Sequence, residues 1–154
     1  MKKFFVVALI AVALALASVA TACKDDDDDG GKDDPKTQTD TITGLFDNNA
    51  SATVTGYFTN AEWDGVPDKI KTALNARFVK WGPGAQGLVK NAFATKSITI
   101  IVEKNPTYAN YSTTSNGNEI RLNFAILNND EALDVALAYS CTAMVNVDGI
   151  PIEG

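Results

Sequence analysis

Side chains able to do chemistry are few in this chain, and no histidine occurs among its 154 residues. That excludes Ser-His-Asp and Cys-His triads, histidine metal sites and imidazole acid–base catalysis. Carboxylates are more plentiful. Asp130, Glu131 and Asp134 form a cluster, but acids at the start of a helix simply complement its macrodipole. Asp25 to Asp29 invite a calcium site. Calcium loops place their carboxylates at alternating positions with a glycine turn and a distal glutamate, and an unbroken run has no such geometry. Gly82-Pro83-Gly84 with Gly87 lacks the lysine of a phosphate loop and reads as a helix-to-helix turn. Tyr108, Tyr111, Tyr139, Trp63 and Trp81 could line a ligand site, although core packing uses the same side chains. We expect no catalytic residue, no metal site and no cofactor.

The remaining reactive groups are two cysteines, and their surroundings differ. Cys141 lies in an apolar helical stretch and reads as a small packing residue. Cys23 follows Lys2 and Lys3, an uncharged run from Phe4 to Val19, and the small residues Ala20-Thr21-Ala22. Those are the three regions of a secretory signal peptide over residues 1–22, with cleavage between Ala22 and Cys23. Ala20 to Cys23 resembles the lipobox of bacterial lipoproteins, departing from it at Ala20, where leucine is usual. Lys24-Asp25-Asp26 is similar to the export signal of surface lipoproteins of Bacteroidetes. The resemblance implies that Cys23 is acylated. The lipid bilayer is then a partner, and the domain faces the periplasm or the surface of a cell envelope. Two or more acyl chains make such attachment stable without any other membrane contact. Two other fates fit the same residues. Ala20-Thr21-Ala22 also suits ordinary signal peptidase, which would release a soluble chain beginning at Cys23 and leave Cys23–Cys141 as a disulfide to consider. An uncleaved membrane helix is the third, although 16 apolar or small residues fall short of a full span.

Removing residues 1–22 takes away two lysines and no acid, leaving 132 residues with 11 basic and 19 acidic groups. Eight of those acids and three lysines lie in residues 23–40. With nothing apolar to bury, residues 23–40 read as a disordered, self-repelling acidic tether. Residues 41–154 carry only 8 basic and 11 acidic groups, which argues against nucleic acid as a partner. They suffice for one small domain with a core of its own.

The elements of that domain are punctuated in the sequence. Ala52 to Phe58 alternates, with Val54 and Phe58 on one face and Thr53, Thr55 and Tyr57 on the other, as a half-buried strand does. Val66, Ile70, Leu74, Phe78 and Trp81 recur at helical spacing, with Pro67 near the first turn and Gly82-Pro83-Gly84 as the stop. Leu88 to Ala94 reads as a second, shorter helix. Ser97 to Glu103 carries isoleucine and valine on both faces and predicts an interior strand. Ser115-Asn116-Gly117-Asn118 is a hairpin signal between an extended segment from Tyr108 to Thr114 and a strand from Glu119 to Phe124. Asn128 and Glu131 have capping-box spacing, opening a helix through Leu133, Ala136, Leu137, Ser140, Met144 and Val147 that Asp148-Gly149 and Pro151 end. We expect an α+β domain over residues 41–154, with two main helices packed on a small, mostly antiparallel sheet.

Ile120-Arg121-Leu122-Asn123, Asn128 to Leu133 and Val135 to Tyr139 together resemble the stretch that enters the active-site helix of zincin metallopeptidases. There a strand, a short loop and a helix carrying HExxH follow one another. Matched residue by residue, the two histidines fall on Tyr139 and Ala143 and the glutamate on Ser140. None of these can hold zinc or activate water, so the resemblance implies a catalytically dead zincin-like domain. We expect a non-catalytic module that binds a protein, a polysaccharide or another envelope component. A small hydrolase relying on carboxylates or Ser/Thr is the alternative. A subunit that assembles with its own copies is a third, which an exposed apolar patch or a long unpaired edge strand would favour.

Overall fold

The computed structural model of the chain describes residues 33–47, 50–113 and 117–145, and its first strand begins inside the expected tether. Strand β1 spans Lys36–Leu45 and pairs antiparallel with β2, Ala50–Phe58. Residues 36–40, expected in the tether, are therefore strand. Polar side chains at 36–40 gave no hint of this, because the backbone of β1 finds its partners on β2 whatever those side chains are. Residues 1–22 with Ala22 and Cys23, and the end of the last helix beyond residue 145, lie outside the described residues.

A short helix α1 (Asn60–Trp63) and two longer ones, α2 (Val66–Phe78) and α3 (Pro83–Thr95), connect β2 to β3, Thr99–Glu103. Strands β4 (Tyr111–Thr113) and β5 (Glu119–Asn123) form the expected hairpin. A 3-10 turn over Phe124–Asn128 leads into α4, Asp130–Val145. The class is α+β. The strand order is β1-β2-β3-β5-β4, and β3 runs parallel to both β2 and β5 while the outer pairs are antiparallel. The sheet is thus mixed, not mostly antiparallel. A three-helix crossover from β2 to β3 returns the chain to the same end of the sheet, which makes the pair parallel.

Three helices, not two, cover one face. α2 packs on β1, α3 on β2 and α4 on β4, and both α2 and α3 lean on α4. α3 is longer than Leu88 to Ala94 suggests, because Pro83 is its first residue and suits a first turn that needs no N–H donor. Beneath the helices lie Val54 and Phe58 of β2, Ile100 and Val102 of β3, and Ile120 and Leu122 of β5, all fully or almost fully buried. Ile70, Leu74, Leu137 and Met144 meet them from above. Among the described residues no layer covers the other face. β3 is interior by pairing only, since Thr99, Ile101 and Glu103 on its second face stay partly exposed.

Two local features lock the β1–β2 end. Gly44 takes a left-handed φ of 70° where the register slips between Ile42 and Leu45. Phe46 follows with a φ of 52°, a conformation that is costly for a bulky residue. Burial holds it there: its ring stacks on Phe78 at 4.6 Å and meets Phe93 edge-on at 4.9 Å. Asn75 of α2 accepts a hydrogen bond from the Phe46 N–H at 3.0 Å and donates one to the Gly44 carbonyl at 3.4 Å. At the far end of β2, a Cβ on Gly56 would lie 2.4 Å from the Phe58 ring and 2.8 Å from the Val102 carbonyl oxygen. Glycine there lets Phe58 fold back over the strand towards Trp63 and Phe124.

Candidate functional site

Helix α2 packs on both α4 and the 3-10 turn, and a groove of about 660 Å³ lies along α2 beside that turn and the start of α4. Its floor is apolar and small-sided, made by Ala73 and Ala76 of α2 and by Leu127 and Leu133. Small residues fall there because Ile70, Leu74 and Phe78 turn the large side of α2 to the sheet. Asp68, Lys69, Lys80, Asp130 and Asp134 form a rim of mixed sign.

Most of that rim is already paired. Arg77 grips Asp134 with both ends of its guanidinium, Nε donating to Oδ1 at 2.8 Å and Nη2 to Oδ2. Lys80 Nζ donates to the same Oδ2 at 3.2 Å. Partial burial pushes the Asp134 carboxyl up, but the hydrogen bonds and charges of Arg77 and Lys80 outweigh it and hold it below the usual carboxylate range. It is therefore an anion throughout the neutral range and a poor proton donor. Across the opposite end, Lys69 Nζ donates to Asn128 Oδ1 at 2.7 Å. The groove is bridged at both ends and apolar between, which suits holding a ligand better than moving a proton.

A second polar cluster lies on the uncovered face of the sheet. Arg121 of β5 donates to Glu103 of β3 at 3.1 Å, and Tyr108 donates its hydroxyl hydrogen to the other oxygen of Glu103. Arg121 also pairs with Glu119 through an ionic contact that lacks hydrogen-bond geometry. Burial, the bond to Glu103 and its negative charge push the Tyr108 hydroxyl up, so it remains protonated. Arg121, Glu103 and Tyr108 satisfy one another, while Glu119 Oε1 is buried with an ionic contact alone.

The aromatic residues singled out in the sequence do not converge. Trp63 is buried and donates its indole N–H to Asp40, and Trp81 is half-buried with its ring edge-on to Phe78. Tyr108 belongs to the cluster on the open face. Tyr111 and Tyr139 stack on each other at 5.9 Å, joining β4 to α4. Of the positions matched to HExxH, Tyr139 is exposed and committed to that stack, Ser140 is fully buried, and Ala143 is half-buried. Among the described residues no group of three His, Cys, Asp or Glu side chains could hold a metal ion. Cys141 is enclosed in the core, where burial pushes its thiol up to about 12.

Asp130 and Glu131 occupy the first turn of α4, as the dipole reading expects, whereas Asp134 is drawn away to Arg77. The cap is shifted by one residue from expectation. Asn129 Oδ1, not Asn128, accepts from the backbone of Ala132 at 3.0 Å, because Asn128 still belongs to the 3-10 turn. Sequence reasoning missed Arg77, Lys80, Lys69 and the alanine floor. A basic Arg77 on a helix otherwise read for its apolar stripe was the one signal available. Compared with protein-family models, curated proteins and solved structures, the chain matches none.

Proposed function

We propose that this chain is a bacterial lipoprotein, held in the cell envelope through acylated Cys23, whose domain is a non-catalytic binding module. Residues 20–26 support the anchor. The groove between α2 and α4 supports the binding role, and it is the observation that carries this reading. Its one half-buried carboxylate, Asp134, is neutralised by two cations, and its floor offers apolar contact without a nucleophile. A protein segment or a polysaccharide of the envelope is the partner class such a surface suits. Membrane attachment through lipid leaves all of the domain's surface available for it.

The zincin-like reading has one observation in its favour. Strand β5, a one-turn loop and helix α4 follow in the order the resemblance expects, with Tyr139 facing an edge strand where a first histidine would stand. With Tyr139, Ser140 and Ala143 in those places, this reading also makes the domain a binder.

The full chain in detergent, probed against arrays of envelope polysaccharides and of peptides, tests the proposal. Binding that Ala76→Arg abolishes, with the melting temperature unchanged, supports the groove. Cleavage of any arrayed probe, or binding indifferent to Ala76→Arg, overturns this reading.

A further inference from the structure

Strand β1 is the longest in the sheet, at ten residues, and it stands at the edge. Among the described residues nothing pairs with its outer side. Natural edge strands of this length are usually blunted by proline, an inward charge or a bulge near the middle. Here the bulge lies at the far end, between Ile42 and Leu45, Pro35 precedes the strand, and its inward charges, Lys36 and Asp40, are of opposite sign, so that a second copy of the strand can neutralise them. Lys36 to Ile42 is left as a regular, accessible template, in unbroken register with β2. Although α2 packs on β1, a cleft of about 370 Å³ remains between them, lined by Asp40, Thr41, Trp63, Pro67 and Lys71.

We infer that β1 pairs antiparallel with β1 of a second copy, about a two-fold axis at Gln38. The charge pattern selects this register. In antiparallel pairing about a two-fold axis normal to the sheet, opposite residues share a face, so the centre must fall on one residue. Centred on Gln38, Lys36 lies opposite the partner's Asp40 and Asp40 opposite the partner's Lys36, both on the face towards the helices. Thr37 then meets the partner's Thr39 on the open face. Moving the centre to Asp40 sets two aspartates against each other, and moving it to Thr37 sets Asp34 against the partner's Asp40. A centre at Thr39 leaves Lys36 opposite an aliphatic Ile42. Lys36 makes no ion pair among the described residues; Asp40 is exposed and accepts the Trp63 indole N–H on one oxygen, which leaves the other for Lys36 of a second copy. The result is one continuous sheet with both helix layers on the same side. This assembly does not depend on the lipid anchor or on the groove.

Sedimentation of the full chain in detergent, over a range of concentrations, tests the inference. The native chain sediments as a dimer that dissociates on dilution. Lys36→Asp weakens it on the order of tenfold or more, since two attractive pairs become two repulsive ones. Adding Asp40→Lys to Lys36→Asp restores it. Gln38→Cys gives a disulfide-linked dimer on mild oxidation, where Thr43→Cys does not; this arm stands even if a charge variant folds poorly. A native chain that stays monomeric throughout, or a dimer unaffected by Lys36→Asp and not crosslinked through Gln38→Cys, overturns the inference.

Discussion

The two faces of the sheet are built from the same strands and obey opposite rules. Towards the helices, β2 presents Ala52, Val54, Gly56 and Phe58, and every one is buried on the face that α1 and α3 cover. Towards solvent, the same strand presents Ser51, Thr53, Thr55 and Tyr57, of which Tyr57 is 64% exposed. Thr39 and Thr55 even bond across β1 and β2 through their own hydroxyls, at 3.0 Å. Stability resides on the first face and solubility on the second. The two surfaces proposed for binding lie where neither rule is complete: in the groove beside α2 and the start of α4, and along the edge of β1.

This contrast can be broken from the covered side first. Phe58 is fully buried, lies over Gly56 and touches Trp63 and Phe124. Phe58→Ala should cost about 3–5 kcal/mol in urea unfolding, while Thr53→Ala on the same strand should stay within about 0.5 kcal/mol. Equal losses would mean that the two faces do not differ as described. The next effect concerns a polar residue placed on the covered side. Asn75→Ala leaves the Phe46 N–H without its partner and should cost about 1–3 kcal/mol, measured the same way.

The smallest effect is in acid. Because the folded Asp134 carboxyl is held below its ordinary value, its contribution is present above pH 3.8 and fades as the pH falls through the lower folded value. Asp134→Asn should therefore lower stability at pH 7 and narrow its gap to the parent chain below about pH 3.8, followed by thermal melts across that range. A constant gap at all pH values would show that Asp134 acts through packing alone.

How much of this was legible depends on which physical signal each element carries. β2, α2, β5 and α4 were readable because a buried face imposes a period of two or 3.6 on the apolar residues, whereas β4 was read from the turn signal after it, of which residues 114–116 lie outside the described residues. β1 was not. Only Ile42 and Leu45 of its ten residues, with the following Phe46, are buried, and Lys36, Gln38 and Asp40 occupy the inward parity at an edge where water still reaches them. Without alternation it merged into the acidic run before it. α3 was shortened by Gly84 and Gly87, both of which are exposed and tolerated. The start of α4 slipped by one because Asn128 and Asn129 offer the same capping group in succession. The groove was the least readable feature. Arg77 and Asp134 are 57 residues apart, and only the packing of α2 on α4 makes them neighbours.

The claim on which the account turns is the anchor at Cys23, and intact-mass analysis of the chain from its native membrane addresses it most directly. The account predicts a chain beginning at Cys23 whose mass exceeds the polypeptide by its acyl groups and falls to the polypeptide mass after delipidation. A chain beginning at Cys23 with no added mass would contradict it and make this a secreted protein.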